Sequence, residues 1–148
     1  MFGGVSHISL DAKGRLAIPA RHRESLLSAF GHRLVVTLES SDHLLIYPEP
    51  NWKPVEQRLL ALPTGNPTLK RYQRLVLGHA ETLEMDGAGR ILLPARLREL
   101  TGLDKEVALV GIGNRFELWD APEWDAQTNT ALDIDPAELA QHLGDFTL

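Results

Sequence analysis

The chain has 148 residues, 43% of them hydrophobic, with a formal net charge of -5 and no cysteine. That composition suffices for a buried core and excludes global disorder, while the absence of thiols excludes disulfides, thiolate metal sites and cysteine nucleophiles. No stretch approaches the roughly 18 apolar residues of a membrane span, and residues 1–12 hold no Lys or Arg to open a signal peptide, so a soluble cytoplasmic protein is expected.

In chain order, Val5 to Leu10 is mostly alternating and apolar, Asp11-Ala-Lys-Gly14 has turn chemistry, and Arg15 to Ile18 resumes an extended stretch, which predicts strand, turn and strand. Pro19 suits the first position of a helix whose apolar face includes Leu26, Leu27 and Phe30 and which stops at Gly31. Strands follow at Leu34 to Leu38 and Leu44 to Tyr47, joined by a polar loop. Val55 to Ala61 and Thr68 to His79 read as helices, the second entered through Asn66 as cap and Pro67. Leu69, Tyr72 and Val76 line one face of it, and Lys70, Arg71 and Arg74 line another, as a solvated stripe or a contact with phosphate or a neighbouring subunit. Further strands are expected at Thr82 to Met85 and Arg90 to Leu93, then a helix from Pro94 to Thr101, strands at Val107 to Val110 and Phe116 to Trp119, and a short acidic helix from Pro136 to Leu143.

This order is a repeat. Residues 10–25 align without gaps on residues 85–100, with Asp, Gly, Arg, Pro, Ala, Arg, Arg and Glu identical, eight of sixteen positions where chance gives roughly one. The offset of 75 falls to 72 further on, where Val35, Pro50 and Trp52 match Val107, Pro122 and Trp124. The expected unit is β-β-α-β-β, and two units this small should share one core. The division expected is a first unit at 1–53, a helical connector at 54–80, a second unit at 81–124 and an acidic helical tail at 125–148.

Charge is distributed unevenly. All 15 Lys and Arg lie at or before Arg115, against 12 acids in residues 1–115. The other 8 acids, from Glu117 to Asp145, stand in residues 116–148 with no base. Two readings fit: a solvated acidic tail, or a basic body whose binding face the net charge conceals.

Most apparent active sites fail on spacing. Ser40-Ser41-Asp42-His43 contains the residue types of a hydrolase triad, but neighbours in a loop cannot make that relay of hydrogen bonds. Gly111-Ile-Gly113 lacks the third glycine and following helix of a dinucleotide loop and reads as a turn. The six histidines, at 7, 22, 32, 43, 79 and 142, show no ligand spacing, so no metal, cofactor or catalytic site is expected. What recurs is a turn with Asp before it and Arg after it, Asp11-Ala-Lys-Gly14-Arg15 and Asp86-Gly-Ala-Gly89-Arg90. Asp can accept the turn N–H groups, Gly can take a positive φ and Arg can pair with Asp, which gives two stable turns and no function. Alternatively, an Arg held on a rigid hairpin can reach a phosphate or make a bidentate contact to a guanine edge. Lys13 adds a phosphate donor that Ala88 does not, which favours the first turn.

The opening Met-Phe-x-Gly, the two D-x-x-x-R turns each followed by P-A-R, Arg74-Leu-Val-Leu-Gly-His79, Met85-Asp-Gly-Ala-Gly-Arg90 and Phe116-Glu-Leu-Trp119 together resemble the MraZ family of bacterial proteins over nearly the whole chain. The resemblance implies an α+β fold of two SpoVT/AbrB-type units in a pseudo-symmetric swapped-hairpin barrel, assembled as a ring-shaped homo-oligomer. It also implies a nucleoid-associated transcriptional regulator that binds double-stranded DNA and represses its own division and cell-wall operon at tandem promoter repeats, without a small-molecule substrate. The family's DNA-binding signature carries over to Asp11 and Arg15 and to Asp86 and Arg90. A non-DNA-binding assembly module remains the other class to consider.

Overall fold

Side chains alternate across a strand, so the apolar residues of each strand divide between two faces of a sheet. The computed structural model describes residues 1–148. Its elements are β1 (Val5–Ser9), β2 (Arg15–Ala17), α1 (Ala20–Ala29), β3 (Arg33–Thr37), β4 (Leu44–Pro48), α2 (Glu49–Leu60), α3 (Pro67–Gly78), β5 (Glu81–Glu84), β6 (Arg90–Leu92), α4 (Ala95–Leu100), β7 (Glu106–Ile112), β8 (Arg115–Asp120), α5 (Ala121–Leu132) and α6 (Pro136–Leu143). No helix is long and apolar enough to cross a membrane.

Six strands form one antiparallel sheet in the order β1-β7-β8-β4-β3-β5, and β2 pairs with β6 in a separate two-stranded ribbon. Exchanging β1 to β4 with β5 to β8 reverses the order and leaves it unchanged, so a pseudo-two-fold axis passes between β4 and β8. Each unit gives its first strand away: β1 lies on β7, and β5 on β3. The α+β class and the two related halves agree with expectation, but the barrel does not close. β1 and β5 end the six-stranded sheet. After the first turn, where Asp11 N donates to Arg15 O at 3.1 Å, β2 pairs with β6 and not with the six-stranded sheet.

One face of the sheet holds the main core. Leu34, Val36, Leu44, Ile46, Val107, Leu109, Phe116 and Leu118 meet Leu16 and Ile91 of the ribbon, Leu26 of α1 and Leu97 of α4. Phe2 closes it, with its ring 4.3 Å from that of Phe116. On the other face Val35, Leu45 and Tyr47 pack against Trp52 and Leu59 of α2 and Val76 of α3, while Ala108, Val110 and Trp119 pack against Trp124 of α5. The ribbon and the acidic α5 therefore lie on opposite faces of the sheet.

Several expectations need correction. α2 begins at Glu49 rather than near Val55 and spans the expected boundary at 53, because Pro50 sits in the first turn, where its missing N–H costs nothing. α5 begins at Ala121, inside the expected second unit and ahead of the helix expected from Pro136, and Pro122 and Trp124 stand in it as Pro50 and Trp52 stand in α2. α6 then follows α5 as α3 follows α2, each entered through a capping side chain and a proline: Asn66 Oδ1 accepts from Thr68 N at 2.9 Å, and Asp135 Oδ1 from Ala137 N at 3.2 Å. The repeated unit is thus ββαββαα. Tyr47 faces Val35 as Trp119 faces Ala108, so Ala108, not Val107, is the counterpart of Val35. Leu27 is exposed, and His22 takes the inward position on α1. Tyr72, expected beside Leu69 and Val76 on the apolar face of α3, is also exposed. Gly111 lies within β7 rather than in a turn; a Cβ there would sit 2.7 Å from Gly3 Cα, so glycine admits the N-terminal segment across the strand.

Candidate nucleic-acid interface

The two D-x-x-x-R segments fold into the same turn. In the first, Gly14 N donates to Asp11 O at 3.0 Å, and Gly14 sits at φ +83°, a left-handed conformation that glycine adopts without a Cβ penalty. Asp11 Oδ1 accepts from Lys13 N at 3.0 Å and Arg15 N at 2.9 Å, and its Oδ2 accepts from Arg15 Nε at 2.5 Å. In the second, Asp86 Oδ1 accepts from Ala88 N and Arg90 N, both at 2.9 Å, and Oδ2 from Arg90 Nε at 3.0 Å, with Gly89 at φ +77°. The backbone N–H of the arginine, ahead of its guanidinium and the preceding turn N–H, holds each carboxyl below the usual range near 3.8. Both aspartates are therefore charged at neutral pH. Each orients its arginine through Nε alone, and the Nη edge of both guanidinium groups has no partner in the chain.

The ribbon then places both arginines on one surface. Its register pairs Arg15 with Leu92, Leu16 with Ile91 and Ala17 with Arg90. Leu16 and Ile91 point into the core, at 0% and 1% exposure, so alternation turns Arg15, Ala17, Arg90 and Leu92 outward. Arg15 and Arg90 are diagonal neighbours, two residues apart along the strands and one strand apart across them, with Cα atoms separated by about 8 Å from strand geometry. The Lys13 ammonium has no partner and is exposed beside the first turn; Ala88 takes its place in the second.

Two further arginines support this surface and were not anticipated. Arg98 of the second unit lies under the first turn, where a Cβ on Gly14 would come 2.5 Å from its Cζ, and Arg23 of the first unit lies under the second turn against Gly89. Arg23 Nη2 donates to Ile18 O at 3.0 Å, and Arg98 Nε to Leu93 O at 3.4 Å. Each unit thus braces the other's turn. Their signal was in the sequence, since Arg23 and Arg98 are among the eight identities of the repeat.

Other candidate residues lie elsewhere. Lys70, Arg71 and Arg74 make no side-chain hydrogen bond or ion pair, and α3 meets the sheet through Val76, whose carbonyl accepts from Thr37 Oγ1 at 2.6 Å. Ser40 to Asp42 form the β3–β4 loop, but His43 is buried, stacked on Trp119 with ring centroids 4.7 Å apart and 3.4 Å from Glu117 Oε2. No three His, Asp or Glu residues gather as metal ligands.

The model of the MraZ protein family matches this chain twice, over residues 1–75 and 76–145. The chain belongs to the MraZ family. Its MraZ relatives include the Transcriptional regulator MraZ of Chromobacterium violaceum, 84% identical over 148 residues and covering 100% of both chains. Proteins of the same name from Nitrosospira multiformis and Nitrosomonas europaea are 50% and 46% identical, again over 148 residues and 100% of both chains. The two MraZ matches meet at residues 75 and 76, in the last turn of α3 and so close to the end of the first ββαββαα unit.

Proposed function

We propose that this chain is a transcriptional regulator that binds double-stranded DNA with the outward face of ribbon β2–β6, using Arg15 and Arg90 to contact bases and Lys13 to contact phosphate. The observation that carries this reading is the pair of oriented arginines on one exposed ribbon. A B-form major groove, about 12 Å wide, admits a two-stranded ribbon, and a guanidinium held at Nε keeps its Nη edge for the guanine O6/N7 pair or for phosphate. The names of the relatives point to the same class of function. Asp11, Gly14, Asp86 and Gly89 serve as the groups that shape and orient the turns.

One subunit offers few cations, so a homo-oligomer that lays several ribbons along one duplex is part of the proposal. Once one ribbon is bound, the others bind at high effective concentration, and repeated DNA sites would match repeated subunits. The operator is then a set of tandem repeats upstream of the chain's own division and cell-wall operon, which it represses at the nucleoid. Glu123 and Asp125 of α5, on the far face of the sheet, lie away from the phosphates.

The test is binding of the full chain to its own upstream DNA and to scrambled DNA over a salt series, with Arg15→Ala and Arg90→Ala in parallel. Specific, salt-weakened binding that falls in both variants supports the reading. Equal affinity for both duplexes at every salt concentration would leave the turns as structural features of an assembly module.

A further inference from the structure

The outward face of the ribbon carries one residue that neither charge nor packing explains. Leu92 is 56% exposed, yet it sits directly across the ribbon from Arg15 and beside Arg90 on the same strand. Its counterpart under the pseudo-two-fold is Ala17, which holds the same place opposite Arg90. Alanine therefore satisfies the fold at this position, and the leucine adds an apolar group to a cationic surface without covering any core.

The geometry points to Leu92 as a sequence-reading residue, which receives the 5-methyl group of a thymine adjacent to the base contacted by Arg15. This rests on the DNA-binding reading above and extends it to a second kind of contact. The thymine methyl is the apolar feature of the major-groove edge, and aliphatic side chains recognise it by exclusion of water. Cross-strand neighbours place their Cβ atoms about 5 Å apart. Successive base pairs are stacked about 3.4 Å apart, so Arg15 and Leu92 reach neighbouring steps of one groove. Ala17, one methyl long, is too short to make the equivalent contact beside Arg90. The two halves of the ribbon would then read different steps: a guanine with a neighbouring thymine on the Leu92 side, and a guanine alone on the other.

The experiment compares the full-length protein and Leu92→Ala on two duplexes, the chain's own upstream DNA and the same duplex with every thymine replaced by uracil, which removes the methyl groups alone. Wild type should bind the uracil duplex at least about fourfold more weakly, the value for one methyl group taken out of water. Leu92→Ala should bind the thymine duplex more weakly by a similar factor and show no preference between the two. Equal binding of both duplexes by wild type, or a thymine preference that survives in Leu92→Ala, overturns the proposal. So does a smaller oligomer for Leu92→Ala in sedimentation, because the residue would then be covered by a second copy. Loss of all preference for upstream over scrambled DNA is a separate result and would overturn the underlying DNA-binding reading instead.

Discussion

Gly89→Ala tests whether the two units are coupled through their turns. Gly89 lies at φ +77°, where an L side chain costs about 1–2 kcal/mol. An added Cβ would also run into Arg23 Nε and come within 2.6 Å of Cζ and 2.8 Å of Cδ, so the guanidinium must move. Moving it breaks the 3.0 Å bond from Nη2 to Ile18 O, which is half-buried and worth about 1 kcal/mol. The expected loss is about 2–3 kcal/mol. Gly14→Ala should cost less, about 1–2 kcal/mol, because Arg98 gives up only a long 3.4 Å bond to Leu93 O and meets the new Cβ with the far end of its side chain. Urea unfolding at one fixed protein concentration measures both losses. In an Arg23→Ala background the Gly89→Ala loss should fall to the backbone share of about 1–2 kcal/mol. An unchanged loss would refute cross-unit bracing. The same bracing predicts that Arg23→Ala weakens DNA binding mainly through Arg90, so Arg23→Ala and Arg90→Ala together should be less than additive.

Three other outcomes follow from the core. His22 is buried between Phe2 and Phe116, with Nε2 unpartnered, and burial, then the neighbouring Arg21 charge, lowers its pKa below 6.5. A base with a lowered folded pKa is most stabilising when neutral. Chain stability should therefore be full above pH 6.5 and decline as pH falls from there towards the lowered value, by protonation of the unfolded chain. His22→Leu, which copies the buried Leu97 of the second unit, should remove that part of the decline in urea midpoints taken from pH 7.5 to 5. Trp52→Ala should cost about 3–5 kcal/mol, since Trp52 is 2% exposed within the α2–α3 cluster. Trp124→Ala should cost less, because no residue of α5 is buried; thermal melts rank the two.

The sequence carried the strands, the repeat and the Asp–Arg turns because each is written in local terms: alternation, turn residues and an ungapped match. The ribbon face was not legible, because it depends on a pairing between residues 15–17 and 90–92 that no local pattern encodes. Arg15 and Arg90 were singled out as separate turns and became one surface only through that register. The start of α5 was hidden for a different reason: the helix buries no residue, so its apolar periodicity is weak, and only the Pro122 and Trp124 matches marked it. Pro54 masked the start of α2, since it lies inside the helix, where a proline reads as a breaker. His43 read as a loop residue because its burial comes from Trp119 on a strand 76 positions away.

The halves have diverged where the scaffold permits it. At the tip of each turn the backbone is the same: Lys13 N donates to Asp11 Oδ1 at 3.0 Å, and Ala88 N to Asp86 Oδ1 at 2.9 Å. Both side chains are exposed, so Ala88→Lys installs the missing ammonium without disturbing the turn. If the second turn lies along the duplex as the first does, each added phosphate contact should steepen the fall of log affinity with log salt by about 0.9. The gain should appear equally on upstream and scrambled DNA, because phosphate contacts position the protein without reading sequence. An unchanged salt slope in filter-binding or anisotropy titrations would mean that the second turn points away from the backbone. Arg90 would then be an orienting partner of Asp86, and the first unit alone would hold the DNA.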